Sequence, residues 1–111
     1  MTVEPPPFAI EQTETDGRVV LTLHGELDLA SSPQLEEATL PIVREGGRVV
    51  IDLRGLEFID SSGVRVLVAG HAAARRSGGG VTIVRAPADS AVDRVIAISG
   101  IDDALDMVDS I

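Results

Sequence analysis

The sequence predicts a single α/β domain, in which a mixed β-sheet begins with an N-terminal hairpin and carries crossover helices packed on it. Apolar residues alternate with a period of two up to about residue 27, and later stretches with helical spacing alternate with short apolar runs. With 111 residues, 44% of them hydrophobic, the chain can form one core, which we expect over residues 8–111. Three consecutive prolines close the segment Met1 to Pro7, which we predict to be a flexible tail.

The first two elements are predicted to be paired strands, over residues 8–14 and 18–27. One face of the second strand carries the apolar residues Val19, Leu21, Leu23 and Leu27. Between the strands, Asp16-Gly17 tolerates the positive φ of a two-residue hairpin turn. The strands should therefore pair antiparallel.

A helix and a central strand follow. Ser31 and Ser32 offer a hydroxyl for an N-cap, Pro33 suits the first helical turn, and apolar residues recur at helical spacing to about Glu45. Pro41 lies inside this pattern and is expected to kink or shorten the helix. The apolar run from residue 49 to 53 predicts a strand covered on both faces, at the centre of the sheet.

The second half of the chain repeats the alternation of helix and strand. A second helix is predicted after Asp60-Ser61-Ser62-Gly63, ending before three glycines at 78–80. A strand over residues 81–84, a helix over 89–99 and a short element over 105–108 complete the domain. The apolar stripe of the second helix is predicted to comprise Val64, Leu67, Val68 and His71.

The composition argues against several classes of function. A formal net charge of −9 disfavours direct binding to nucleic acid or to anionic lipid. The chain has no cysteine, no apolar run long enough to span a membrane and no secretory signal pattern, so we expect a cytoplasmic protein. We also expect no cofactor, and a monomer or weak dimer.

The segment Asp60-Ser61-Ser62-Gly63 is the main candidate for a functional site. It lies where a helix begins, so unpaired backbone N–H groups and the positive end of the helix dipole would tolerate a phosphate on Ser61. The alternative is purely structural. Ser61 or Ser62 would then cap the helix, and Gly63 would relieve crowding between chain segments.

A resemblance to a known family favours the first interpretation. Phe58 to Gly63 resembles the phosphorylation loop of the anti-sigma factor antagonists, which belong to the STAS domain family. Nearly the whole chain shares the resemblance. Its further anchors are Gly25-Glu26-Leu27-Asp28, the strand from Val49 to Leu53, Gly78-Gly79 and Ser99-Gly100-Ile101.

The resemblance implies a role in partner switching. In that family the serine matching Ser61 accepts phosphate from the anti-sigma factor, a serine/threonine kinase, and a serine phosphatase removes it. The unphosphorylated protein would capture the anti-sigma factor and release the sigma factor. Asp28 and the loop Asp60, Ser61, Ser62 and Gly63 would face the partner, with Glu26 as a weaker candidate. A second possibility is a STAS scaffold module of a larger signalling or transport-associated assembly.

The sequence lacks the patterns that catalysis or metal binding would need. An enzyme would use Ser61 or Ser62 as nucleophile with His24 or His71 as base, but the pattern Gly-x-Ser-x-Gly is missing. The acidic run around Asp102 and Asp106 lacks the glycine-centred pattern of a calcium loop. We therefore predict no catalytic residues and no metal ligands.

Overall fold

The computed structural model describes residues 7–111, which form one mixed α/β domain of six strands and three helices. The elements are β1 (Phe8–Thr15), β2 (Arg18–Leu27), α1 (Ser32–Arg44), β3 (Arg48–Asp52), β4 (Leu56–Ile59), α2 (Ser61–Ser77), β5 (Gly80–Val84), α3 (Ala91–Ser99) and β6 (Asp106–Val108). The sheet order is β1-β2-β3-β5-β6, with β4 also paired to β2. Only β1 runs antiparallel to its neighbour. The predicted fold class is confirmed.

The N-terminal hairpin is formed as predicted. Asp16 and Gly17 have φ values of 53° and 76°, which suit a two-residue turn between twisted strands. The predicted tail lies outside the described residues except for Pro7, whose carbonyl accepts a hydrogen bond from the Glu26 N–H at 2.8 Å.

All three helices pack on one face of the sheet. The main core joins strand residues such as Leu21, Ile51 and Ile83 to Leu35 of α1 and Leu67 of α2. A small second cluster on the opposite face comprises Val20, Val50 and Val84. Within residues 7–111, none of the helices combines the length and apolar character needed to cross a membrane.

Strand β4 was not predicted. It has only four residues, and together with β3 it runs end to end along β2. Val49 to Asp52 pair with the first half of β2, and Leu56 to Ile59 pair with the second half. Because β4 extends to the carboxyl end of β2, it delivers Asp60 to that edge of the sheet.

Each of the two longer helices departs from its prediction in one respect. Helix α1 ends at Arg44, close to the predicted end near Glu45, and of the two effects expected of Pro41, a kink or a shortening, the shortening does not occur. Pro41 and Glu37, whose carbonyl would have accepted the missing hydrogen bond, are both exposed, so water can replace that bond. In α2 the predicted stripe is partly wrong, since Val68 is 39% exposed. The buried face consists of Gly63, Val66, Leu67, Gly70, Ala73 and Ala74.

Thr39 of α1 places a hydroxyl in the core that lowers the stability of the fold. Its side chain is fully buried, and its Oγ1 has no hydrogen-bond partner within residues 7–111. Thr39→Val removes this hydroxyl and keeps the branched shape, so we expect a gain of about 1 kcal/mol in the free energy of unfolding. Urea unfolding followed by circular dichroism would measure it. Thr82→Val is the control, because Thr82 donates to Asp106 at 3.0 Å and should gain nothing.

Asp52, on the sheet face opposite the helices, should make stability pH-dependent. Burial alone would raise the pKa of its carboxyl, but hydrogen bonds from the Arg54 guanidinium (2.8 Å) and backbone N–H (3.0 Å) outweigh burial and lower the pKa from 3.8. The stabilisation is therefore present above pH 3.8 and is lost as the pH falls through the lowered pKa. We expect the stability difference between wild type and Asp52→Asn to shrink between about pH 5 and about pH 2. A constant difference would contradict this.

Candidate functional site

The candidate site lies at the edge of the sheet where β2 and β4 end and α1 and α2 begin. Ile59 pairs with Leu27, and the next N–H along, that of Asp60, donates to the Leu27 carbonyl at 3.1 Å. This pairing brings the loop that follows β2, which contains Asp28, beside the loop that opens α2. We call the surface formed by Glu26, Asp28, Leu29, Phe58, Ser61 and Ser62 the carboxyl-edge surface.

Asp60 caps helix α2. Its backbone is extended (φ −115°, ψ −173°), and its Oδ1 accepts hydrogen bonds from the N–H groups of Ser62 at 2.8 Å and Gly63 at 3.3 Å. The structural alternative, in which Ser61 or Ser62 caps the helix, is therefore wrong. Ser61 is the first helical residue and is exposed, and its hydroxyl makes no hydrogen bond within residues 7–111.

The Asp60 cap yields a stability prediction. Asp60→Ala leaves two N–H groups of the first turn without their partner, so we expect a loss of about 1 kcal/mol in the free energy of unfolding. Asp60→Asn keeps an acceptor oxygen and should lose less than half of that. Urea unfolding followed by circular dichroism at 222 nm is the measurement. Equal losses for the two variants would contradict a capping role.

Gly63 is buried and contributes through packing. A Cβ at this position would lie 2.7 Å from Cγ1 of Ile59 and 2.8 Å from Cγ of Leu27. These are the last residues of β4 and β2, so the missing side chain lets α2 start directly against the sheet. The suggestion that Gly63 relieves crowding is confirmed. Ser62, half-buried, and Ser61, exposed, present the polar side of the same turn.

Asp28 orders its own loop. Its Oδ1 accepts hydrogen bonds from the N–H groups of Ala30 and Ser31 at 3.0 and 3.1 Å, and its carbonyl accepts from the Ser32 N–H at 2.8 Å. Ser31 occupies the N-cap position of α1, yet its hydroxyl bonds back to the Glu26 carbonyl instead of capping the helix. The predicted hydroxyl cap is therefore wrong. Glu26 is exposed, and Asp28 is half-buried.

The sequence did not predict that two apolar side chains of this surface are exposed. Leu29 is 77% exposed and Phe58 is 42% exposed. Leu29 also lines a cavity of about 250 Å³ between α1 and α2, together with Ser62 and Arg65. A leucine between Asp28 and Ala30, in a loop with no apolar periodicity, was the available signal.

The histidines and acidic residues considered for catalysis or metal binding lie elsewhere. His24 Nε2 is 3.3 Å from Glu11, and His71 is ten residues along α2 from Ser61, about 15 Å at helical rise. Asp102 pairs with Arg85 at 2.8 Å. In the part of the chain that the structure describes, no three potential metal ligands come together.

The chain is similar in sequence to a STAS domain family model and to anti-sigma factor antagonists. A family model described as "Mlab, STAS domain" matches residues 10–109. An anti-sigma-B factor antagonist of Bacillus subtilis is 26% identical over 98 residues, which cover 88% of this chain and 86% of that protein. The anti-sigma-F factor antagonist RsfB of Mycobacterium tuberculosis is 35% identical over 66 residues, covering 59% of this chain and 54% of RsfB.

Solved structures agree on the fold. A crystal structure of an anti-sigma factor antagonist from Mycobacterium paratuberculosis superimposes with a TM-score of 0.78 and 28% identity, covering 98% of this chain and 92% of that one. Unphosphorylated SpoIIAA, also an anti-sigma factor antagonist, superimposes with a TM-score of 0.70 at 20% identity, covering 93% and 90%.

Proposed function

The chain belongs to the STAS domain family, and we propose that it is an anti-sigma factor antagonist that binds its anti-sigma factor through the carboxyl-edge surface and is inactivated by phosphorylation of Ser61. The observation that carries the proposal is the Asp60 cap. Because Asp60 accepts the N–H groups of Ser62 and Gly63, the cap does not use the Ser61 hydroxyl, which is exposed and makes no hydrogen bond within residues 7–111. A kinase can therefore reach it without breaking the helix start.

A phosphate on Ser61 is compatible with the fold. It adds about −1.5 to −2 charges at the positive end of the α2 dipole, where negative charge is stabilising. Arg65 lies one turn further along the helix, at the i+4 position, and makes no ion pair with a carboxylate in residues 7–111. Phosphorylation should therefore change the surface and leave the fold intact.

The same phosphate opposes partner binding. Leu29 and Phe58 give the carboxyl-edge surface exposed apolar area, which a partner would bury. Burying a doubly charged phosphate on this surface requires removing its water. A hundredfold loss of affinity corresponds to roughly 2.8 kcal/mol, which such desolvation can supply.

The proposed partners follow from this switch. An anti-sigma factor with serine/threonine kinase activity would be both the ligand of the unphosphorylated form and the source of the phosphate. A serine phosphatase would restore binding. The chain has no lysine, and Gly78 to Gly80 lead into a strand instead of a helix, so we assign phosphate transfer to the partner. The cytoplasm is the proposed compartment.

The test is to incubate the full chain with a candidate anti-sigma kinase, ATP and Mg²⁺, and to map the phosphate by peptide mass. We expect a single phosphate on wild type and on Ser62→Ala, and none on Ser61→Ala. Phosphate on Ser62 would overturn the assignment. No phosphate with any cognate kinase, together with assembly into a large complex, would favour the scaffold alternative.

A further inference from the structure

A cationic cavity lies at the opposite edge of the sheet from Ser61. It has a volume of about 320 Å³ and is lined by Arg18, Arg48, Arg75 and His71, with Thr82 and Asp106 on one side. Arg18 and Arg48 open the adjacent strands β2 and β3, and Arg75 lies in the last turn of α2. We propose that this arginine cavity binds a small ligand carrying two or more phosphate charges.

The charge distribution supports an anionic ligand. Three arginines and one aspartate give the lining a formal charge of +2, which leaves −11 on the rest of a chain whose total is −9. Within residues 7–111, Arg18, Arg48 and Arg75 form no ion pair with a carboxylate. Asp106 offsets only one of the three positive charges. The remaining like charges repel one another, and a bound anion removes that repulsion.

Within residues 7–111, the side-chain donors of the lining that remain free are the three guanidinium groups and the His71 ring. The Gly80 N–H donates to the Gly47 carbonyl at 3.2 Å, and the Thr82 hydroxyl donates to Asp106 at 3.0 Å, so neither is available to a ligand. Guanidinium groups present paired N–H donors that match phosphate oxygens. Three of them around one cavity suit a compact group with several negative charges, such as a diphosphate.

The shape favours a small molecule over a polymer. The volume lies at the lower end of the range for small-molecule sites. An extended polyanion such as nucleic acid would also have to lie along a surface that carries the remaining −11 charges. A small ligand held among the arginines touches less of that negative surface than a polymer does.

Gly80 lines the arginine cavity and has no side chain that would occupy part of its volume. It pairs with Arg48 across β3 and β5, and a Cβ built on it would meet only Cγ of Arg48, at 3.9 Å. Valine suits a strand, and its Cβ would make only this ordinary contact. Gly80→Val would therefore fill part of the cavity without changing any charge.

The test is a titration of the full chain with inorganic pyrophosphate at constant ionic strength, by calorimetry and by amide NMR shifts. We expect saturable one-to-one binding, with the largest shifts at Gly79, Gly80 and Thr82. The double variant Arg48→Gln, Arg75→Gln should raise the Kd at least tenfold, and Gly80→Val should raise it severalfold. Arg76→Gln is the matched control, because it removes one charge from the same helix outside the cavity, and it should change the Kd less than twofold.

Four results would overturn the proposal. These are binding that does not saturate, an equal effect of Arg76→Gln and the double variant, an undiminished affinity of Gly80→Val, and citrate binding as tightly as pyrophosphate. Circular dichroism of each variant checks that the fold is retained. Since no step involves Ser61, about 21 Å away along α2 at helical rise, the outcome is independent of the phosphorylation test.

Discussion

Phosphorylation of Ser61 is expected to weaken binding of the anti-sigma factor about a hundredfold, which corresponds to roughly 2.8 kcal/mol. The phosphate would lie on the carboxyl-edge surface, whose exposed apolar side chains, Leu29 and Phe58, a partner would cover. In the free protein the phosphate stays hydrated, and it loses its water only when the partner binds, so the desolvation weakens the complex. Calorimetry with unphosphorylated and enzymatically phosphorylated protein would measure the difference.

Substitutions separate the charge from the loss of the hydroxyl. Ser61→Ala should bind within about threefold of wild type, because the hydroxyl makes no hydrogen bond within residues 7–111. Ser61→Asp adds one charge and should weaken binding about tenfold, between alanine and phosphoserine. Thr15→Asp places the same charge at the hairpin tip, at the far edge of the sheet, and should have little effect. Equal losses for Ser61→Asp and Thr15→Asp would indicate a general charge effect and contradict a local switch.

The elements that the sequence predicts well are those with local causes. The hairpin depends on Asp16-Gly17 and on alternating apolar residues, and both signals are contained in about twenty residues. Strand β4 depends on pairing with residues 25–27, some thirty positions earlier, and its four residues carry no periodicity of their own. Such long-range pairing is invisible to a local pattern.

The site shows the same division. The sequence locates the Asp60 to Gly63 segment, but by residue type Asp60, Ser61 and Ser62 could each cap the helix. Asp60 becomes the cap because its N–H is hydrogen-bonded to the end of β2, which holds it at the start of α2. The hydrogen bonds from Ala30 and Ser31 to the Asp28 carboxylate depend on the path of the loop, which the sequence pattern does not indicate. The arginine cavity collects Arg18, Arg48 and Arg75 from three distant segments, so their common location emerges only from the sheet order.

Gly63→Ala is expected to lower the free energy of unfolding by about 2 kcal/mol. The new methyl group would lie 2.7 Å from Cγ1 of Ile59 and 2.8 Å from Cγ of Leu27, both fully or almost fully buried, so the core cannot easily make room. Alanine gains up to about 1 kcal/mol in helix propensity, which reduces the loss without cancelling it. The chain has no Trp or Tyr, so urea unfolding is best followed by far-ultraviolet circular dichroism.

Ser62→Ala is the matched control for this substitution. Ser62 precedes Gly63 in the same turn, and its hydroxyl makes no hydrogen bond within residues 7–111, so its removal should change stability by less than about 0.5 kcal/mol. Leu27 and Ile59 end the strands that position Asp60. If the Gly63→Ala methyl group displaces α2 from them, Ser61 and Ser62 move as well, and we expect weaker partner binding although no charge is added. A Gly63→Ala variant with wild-type stability would mean that the side chains of Leu27 and Ile59 move to make room for the methyl group. The close approach of α2 to the sheet would then not be what positions Ser61.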